Sequence, residues 1–417
     1  MIPESNRLGS TPSVVPLPLA DHLSVSWQTK GRMPDVVIVG GGIAGCTVAF
    51  ELARRGAHVS LLERKAIGAA ASGRNTGTLL QQAEPEVMQL FRESIESYKE
   101  LADGAISFGL HERTQLLLAF DEPQLDKSRL RAEAISRLGG HVEAASAEDL
   151  RRTVPTLAPD VAGGYLVQGA WTVDARQATA AFAYASRGAG VDVRTGVEVV
   201  GFAGQRERVE GVLTDQGRID ADATIVATGP WLSDLLGSVP VSAGRGWLMR
   251  AEPLGFELPW LIEEISWPDQ EEVGRAVQLP TLEDIAGGNY YRPVLEAFVL
   301  VPQLSGGALL GASLAPTLRE AVESVDMPQR LAARAMRFSA ALGSVAIRSA
   351  WYAHRPMTPD GLPIVGETHR DGLYVHGGHG SLGMQSAPAT AKYLASHILD
   401  SSVVAPWLDV ARFRPPS

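Results

Sequence analysis

The sequence predicts an α/β protein carrying a second, α+β domain, and three observations predict it. A short apolar run, Asp35-Val36-Val37-Ile38-Val39, leads directly into a glycine cluster, Gly40-Gly41-Gly42-Ile43-Ala44-Gly45. A helix-forming stretch and a second apolar run closing on Glu63 complete a strand–turn–helix–strand unit of about thirty residues. Much later, residues 236–345 are rich in tryptophan, proline and glycine, which reads as a second sheet with covering loops.

Taken in order, the first run lacks polar alternation and suits a parallel strand buried on both faces. Ile43 to Arg55 reads as a helix stopped by Gly56, since glycine accepts the left-handed turn at a helix end. His58 to Glu63 is the second strand. Pro85 to Asp149 reads as mainly helical, with polar faces such as Arg92-Glu93-Ser94-Ile95-Glu96-Ser97, and is expected to be an inserted lobe. Asp174 is placed to cap a helix running to Arg187, and Gly190 to Val200 reads as strands. Val209 to Thr214, the turn at Gln216-Gly217 and Ile219 to Thr228 read as a hairpin entering a buried strand. Leu373 to His376 is a further strand. The last helix is expected from about Ser386 to Leu399, with Pro388 in its first turn, where a missing N–H costs nothing.

Composition narrows the function classes. The chain has 417 residues, is 45% apolar and carries a formal charge of −10, with a pI near 5.5. That length supports two or three lobes. The acidic balance argues against a nucleic acid or an anionic membrane as partner. One cysteine, Cys46, excludes an internal disulfide and a thiolate metal cluster and fits a reducing cytoplasm, the expected location. At the start of a helix Cys46 is either a reactive thiolate or a small packing residue against the sheet. No cluster of histidine and carboxylate residues has metal-ligand spacing, so no metal is expected. Residues 1–33 lack the basic start and apolar core of a secretory signal and read as an N-terminal arm. No apolar run reaches the roughly eighteen residues a membrane span needs.

The glycine cluster fits the spacing G-x-G-x-x-G. Gly40 permits the tight turn, Gly42 lets a pyrophosphate approach the backbone, and Gly45 lets helix and strand pack closely. The helix start at Ile43 and Ala44 offers free N–H groups and a partial positive charge to phosphate. Glu63 follows about twenty residues on, where a carboxylate accepts from ribose hydroxyls and repels a 2′-phosphate, which disfavours NADP. With both strands and the helix in place, a Rossmann-like dinucleotide-binding domain is the expectation.

Three further segments carry a family resemblance. The loop Ile67-Gly68-Ala69-Ala70-Ala71-Ser72-Gly73-Arg74-Asn75-Thr76-Gly77 has small side chains that let backbone N–H groups reach phosphate and ring oxygens. Ile225-Val226-Ala227-Thr228-Gly229-Pro230-Trp231 is a buried strand ending in Thr-Gly. Most specific is Arg355-Pro356-Met357-Thr358-Pro359-Asp360-Gly361-Leu362-Pro363-Ile364-Val365-Gly366, followed by Gly377-Gly378-His379-Gly380-Ser381-Leu382-Gly383-Met384. From Asp35 to Leu399 the chain resembles the FAD-dependent amino acid and amine oxidoreductases, the group of D-amino acid oxidase, glycine oxidase, monomeric sarcosine oxidase and D-amino acid dehydrogenase. The resemblance is weakest over 85–150 and 240–295.

That resemblance implies a Rossmann-like FAD-binding domain, discontinuous over 34–84, 150–235 and 346–400. A sheet-plus-helix substrate domain is expected over 85–149 and 236–345, with a tail from 401 to 417. FAD is expected to contact Gly40, Gly42, Ile43, Ala44, Gly45, Glu63 and Arg64, and the loop residues Ser72, Gly73, Arg74, Asn75, Thr76 and Gly77. Val199 would flank the adenine, and Thr228, Gly229 and Trp231 would lie beneath the cofactor. Gly380, Ser381, Leu382, Gly383 and Met384 would wrap the flavin ring, where the last helix directs its positive end at the N1 and C2 oxygen region, worth ~1–2 kcal/mol. The cofactor is expected to be non-covalent, since no cysteine follows Cys46.

The implied chemistry is oxidation of a C–N bond by hydride transfer to flavin N5, giving an imine that hydrolyses. Arg355 matches the family's substrate-carboxylate arginine, whose planar fork pairs with both oxygens; a structural brace for the turn at Pro356 is the alternative. Tyr290 and Tyr291 fit either a hydroxyl contact to substrate or aromatic core packing. His379, in the flavin-wrapping turn, is expected to bond the cofactor in preference to acid–base work. Where the family often has Gly-Leu before Arg-Pro, this chain has Ala353-His354, and where glycine oxidase has an arginine it has Ser381, so a two-arginine clamp is not expected. An amino acid or amine is the expected substrate, with oxygen, a quinone or a partner subunit as electron acceptor and homo- or hetero-oligomerisation left open. The competing readings are a flavin-bearing subunit of a larger amine, opine or proline-type dehydrogenase complex, and a 2-hydroxy acid oxidoreductase.

Overall fold

The structure is a computed structural model that describes residues 32–104, 106–266, 295–316 and 326–413. Two sheets organise it. The first has six strands in the order Ile364–Glu367, Leu373–Gly377, Ala223–Val226, Asp35–Val39, His58–Glu63, Asp192–Thr195, all parallel except the antiparallel edge Ile364–Glu367. Asp35–Val39 lies inside the sheet, which is why four of its five residues are buried and its sequence does not alternate. Ile43–Ala53 and the C-terminal helix Gly383–Asp400 pack on one another, and Cys46, Val48, Ala49, Leu52, Ala387, Ala391 and Leu394 join one core. Asp174 caps the helix Ala175–Gly188 by accepting from the Gln177 N–H at 2.9 Å. The hairpin Val209–Thr214/Gly217–Asp220 forms with Val199–Gly204 a three-stranded antiparallel sheet.

The second sheet has nine strands. Eight run in the order Ile347–Met357, Ser242–Ala251, Ala308–Pro316, Leu295–Pro302, Trp260–Glu264, His111–Ala119, Gly163–Thr172, Thr78–Leu79, and Val142–Ser146 pairs with Gly163–Thr172 off that path. Sheet membership therefore cuts the chain differently from the expected segments. Gly163–Thr172 and Ile347–Met357 were expected in the cofactor domain, yet both hydrogen-bond into this sheet. The stretch expected to be mainly helical over 85–149 contains helices Pro85–Ala102 and Glu122–Arg137 but also the nine-residue strand His111–Ala119. Gln115 to Ala119 are all buried, so the period of two that marks a strand is missing from its second half.

Pro388 requires a second correction. The last helix starts at Gly383, so Pro388 sits inside it and leaves the Met384 carbonyl without its usual donor four residues on. The fully buried Tyr98 hydroxyl donates to that carbonyl at 2.8 Å and replaces the missing bond. Residues 1–31 of the expected arm, and Tyr290 and Tyr291, lie outside the described residues. No helix among the described residues is long and apolar enough to cross a membrane.

Candidate functional site

The six-stranded sheet ends its parallel strands at one edge, and a cleft of about 560 Å³ opens there. The glycine turn forms its floor. Gly40 has φ +112°, and a Cβ on it would stand 2.5 Å from the Ala227 carbonyl oxygen; a Cβ on Gly45 would stand 1.8 Å from the Gly40 carbonyl. Neither position admits a side chain. Glu63 holds the turn: one carboxylate oxygen accepts the Gly41 N–H and the other the Lys65 N–H, both at 2.7 Å. Ser72 reaches across to accept the Ile43 N–H at 2.9 Å, tying the small-residue loop to the helix start. Asn75 closes that loop by donating to the Ala71 carbonyl at 2.9 Å and accepting from the Gly77 N–H at 2.8 Å.

Of the residues expected to hold the cofactor, Gly40, Gly42, Ile43, Ala44, Glu63, Arg64, Ser72, Arg74, Asn75, Val199, Thr228, Gly229, Trp231, Gly380, Ser381, Gly383 and Met384 line this cleft, as do Arg355 and His379. Thr76 and Leu382 line a neighbouring cavity instead. Gly45, Gly73 and Gly77 line neither; each lies where backbone approaches backbone, and a Cβ on Gly77 would stand 1.9 Å from the Val173 carbonyl. Arg64 stacks over the Trp231 ring at 4.7 Å, joining the ends of two strands across the cleft rim.

The cleft suits FAD on its own geometry. The Thr228 Oγ1 is buried and has no hydrogen-bond partner, an arrangement that costs free energy until a ligand supplies one. Gly229, with φ +60°, would carry a Cβ that meets no atom within 4 Å, so the backbone there lies open. Cys46 is fully buried and its thiol points at the Gly41 carbonyl at 3.6 Å; burial, then the nearby Glu63, push its pKa up, so it is a packing residue and not a thiolate.

Beneath the cleft two buried histidines share one hydroxyl. The His376 Nδ1 lies 3.0 Å from the Ala44 carbonyl, which only accepts, so this nitrogen carries the proton. Burial holds the His376 ring down at about 4, and burial together with His376 holds His379 well below its ordinary value, so both rings are neutral at pH 7. The bare His376 Nε2 then accepts from the Thr390 hydroxyl at 2.9 Å, and His379 donates from Nε2 to the same Thr390 oxygen at 3.0 Å. A ring this hard to protonate does not serve as a general acid near neutral pH.

A second cavity of about 400 Å³ shares a wall with the cleft, and Arg74, Asn75, Ala353, Arg355 and Ser381 line both. Arg355 extends from Ile347–Met357 over Gly246, where a Cβ would stand 1.9 Å from its Nη1, and Nη1 donates to the Ser313 carbonyl at 3.0 Å. Burial pulls its pKa down to about 10, which still leaves it cationic at neutral pH. The cavity also brings in residues the sequence reading missed: Gly246, Gln82, Arg131, Glu263 and Gln385. They come from five separate segments, and only the glycine gave a local signal, as a residue that interrupts a strand.

Comparison with known proteins agrees with this geometry. A bifunctional ThiO/ThiG protein of Synechocystis sp. is 28% identical over 383 residues, covering 88% of this chain and 52% of the relative. The chain thus spans about half the length of the first such relatives it matches. The crystal structure of glycine oxidase from Geobacillus kaustophilus superposes with a TM-score of 0.75 at 26% identity, covering 91% of this chain and 98% of that one. L-Proline dehydrogenase from P. horikoshii shares the fold, with a TM-score of 0.77 at 21% identity over 92% of this chain and 98% of the other. The family model for DAO, the FAD-dependent oxidoreductases, matches residues 35–397, and the chain belongs to that family.

Proposed function

We propose that this enzyme oxidises the C–N bond of an amino acid or secondary amine. The observation that carries the reading is the half-buried, cationic Arg355 on the wall shared by the cofactor cleft and the second cavity. A carboxylate is the partner such a guanidinium suits: its planar fork offers two parallel bonds, and a desolvated charge gains most from an opposite one. The relatives' names agree, since glycine oxidases of several bacteria and a 4-methylaminobutanoate oxidase act on amines that carry a carboxylate. FAD, when bound, would supply the two-electron acceptor for the hydride on the carbon beside nitrogen.

The chain's own residues then orient and exclude water. Gly40, Gly42, Ile43 and Ala44 offer the turn and helix start to the pyrophosphate, and Glu63 takes the ribose. Ser72, Arg74, Asn75, Thr228, Gly229, Gly380, Ser381, Gly383 and Met384 surround the remainder. His379, neutral and bonded to Thr390, shapes the floor. Arg355 fixes the substrate carboxylate so that the reacting carbon faces the cofactor, and positioning of this kind supplies several kcal/mol. If the amine reacts unprotonated, no general base is required, and none is assigned.

An anaerobic screen of amino acids and secondary amines, followed by loss of the oxidised-flavin absorbance, tests the reading without assuming an electron acceptor. Bleaching by carboxylate-bearing amines is the expected result. Bleaching only by 2-hydroxy acids, or by none of these until a co-purifying chain is added, refutes it.

A further inference from the structure

One wall of the second cavity is a row of residues that crosses four strands of the nine-stranded sheet. Leu248 stands opposite Gly311, Gly311 opposite Val299, and Val299 opposite Glu263. Lateral partners share a face of a sheet, and Leu248, Val299 and Glu263 all line the cavity, with Ala312 beside them. Val299 is only half-buried, although it lies on an inner strand. Its chain neighbours Phe298 and Leu300, at 1% and 0% exposed, belong to the core behind that strand. Leu130, from the helix Glu122–Arg137, brings a further aliphatic side chain to the cavity and is itself 58% exposed. Aliphatic groups left open to a cavity forgo burial that a ligand can restore.

The position of Arg355 says which part of a substrate meets that row. Its Nη1 donates to the carbonyl of Ser313, the residue after Ala312, so the guanidinium stands beside the near end of the row. Neighbouring strands lie ~4.8 Å apart, so the two steps from the strand of Ser313 to the strand of Glu263 span about 10 Å. The far end is an ion pair, Glu263 with Arg131 at 2.8 Å, joined by the Gln115 amide at 2.7 Å. Between the guanidinium and that pair the side chains of the row are hydrocarbon. Polar groups on other walls are turned to the protein: the Thr76 and Thr78 hydroxyls bond each other at 2.9 Å, and Gln82 donates to the Leu80 carbonyl at 3.1 Å. We propose that Leu248, Val299 and Ala312 form the specificity surface for the substrate side chain, so that the preferred substrate is an amino acid with an aliphatic or aromatic side chain of leucine to phenylalanine size. The proposal rests on the carboxylate-binding reading of Arg355 given above, and deepens it by naming the side-chain class and the residues that select it.

The test is calorimetric titration of the FAD-loaded protein with acetate, 4-methylpentanoate and succinate, the last having a carboxylate where 4-methylpentanoate has its isopropyl group. Each buried methylene is worth about fourfold in affinity, so wild type is expected to bind 4-methylpentanoate at least about tenfold more tightly than acetate or succinate. Val299→Thr, which replaces a methyl by a hydroxyl, is expected to shrink the ratio of 4-methylpentanoate to acetate at least about threefold. Val299→Phe, which fills the cavity, is expected to weaken 4-methylpentanoate more than acetate. FAD occupancy should hold in both variants, since Val299 does not line the cofactor cleft. In turnover, kcat/KM is expected to rise from glycine through alanine to leucine and phenylalanine, each amino acid assayed as both enantiomers where it has them. Acetate or succinate binding as tightly as 4-methylpentanoate overturns the proposal while leaving the carboxylate reading of Arg355 intact. A preference for 4-methylpentanoate that neither Val299 variant alters also overturns it, because the apolar group then lies elsewhere. Failure of all three acids to bind instead sinks the carboxylate reading beneath it, and the proposal with it.

Discussion

Arg355 lies where only a glycine fits beneath it, which makes Gly246→Ala a sharp probe of the site. The added Cβ would stand 1.9 Å from the Arg355 Nη1, 2.6 Å from its Cζ and 2.7 Å from the Ser313 carbonyl oxygen. That carbonyl belongs to Ala308–Pro316, which is paired on both sides and cannot retreat, so the guanidinium has to move. Moving it breaks the 3.0 Å bond to Ser313 and takes the charge from the cavity wall. If Arg355 pairs with the substrate carboxylate, the displacement is equivalent to truncating one partner of a buried charge pair. The expected loss is ~2–5 kcal/mol, or roughly thirty- to several-thousand-fold in kcat/KM. Overpacking adds ~1–3 kcal/mol of destabilisation. The assay compares kcat/KM of wild type, Gly246→Ala, Arg355→Ala and the double variant on the best substrate from the screen. FAD content should hold, since Gly246 lines the second cavity and not the cleft. The double variant should be no worse than Arg355→Ala alone, because both remove one interaction. Wild-type turnover in Gly246→Ala, or losses that multiply in the double variant, would refute the argument.

Other expectations follow from the same geometry. Denaturing and precipitating the holoenzyme should leave its yellow colour in the supernatant, because the buried Cys46 thiol is not available for a link. Glu63→Ala should weaken FAD retention and also loosen the empty turn, since two backbone bonds at 2.7 Å go with the carboxylate, each worth ~1.5–3 kcal/mol at most in this half-buried setting; unchanged occupancy after dilution would exclude it. His376 is held down at about 4 in the folded protein against an ordinary 6.5, so the unfolded chain takes up the proton first. Its contribution is therefore complete above about pH 6.5 and is lost as pH falls towards about 4, at ~1.4 kcal/mol per pH unit, with His379 adding to the slope. A melting temperature flat between pH 7 and 5 would contradict this. Tyr98→Phe should cost ~1–3 kcal/mol in urea denaturation by leaving the Met384 carbonyl bare, and less in a Pro388→Ala background, where residue 388 regains the N–H that reaches it.

What was legible in the sequence was what neighbouring residues decide. The glycine turn, its helix and Glu63 are constrained within one short unit, so spacing alone located the floor of the cleft. The strand His111–Ala119 escaped because burial on both faces of its second half erased the alternation that marks strands. Pro388 was placed in a first turn because a proline inside a helix is normally excluded; the donor that makes it tolerable, Tyr98, lies 286 residues from Met384. Gln385 carried no signal at all. Its place on the cavity wall depends on Leu80, which holds its oxygen, and on segments distant in sequence that supply the other walls.

The strand that carries Arg355 has a consequence for how a ligand is met. Ile347–Met357 runs beside Ser242–Ala251 over a ladder from Met357 opposite Ser242 to Ile347 opposite Ala251, with a single irregularity at its far end. An anion-binding side chain on a surface loop must surrender its freedom each time a ligand arrives. Here the backbone has been immobilised during folding and the side chain rests on the Gly246 backbone, so little entropy remains to be lost at capture. If Arg355 takes the substrate carboxylate as proposed, the arrangement trades adaptability for tolerance of weak contacts: a small acid with few atoms to offer would still be held in register, and one of the wrong length would meet a strand unable to follow it.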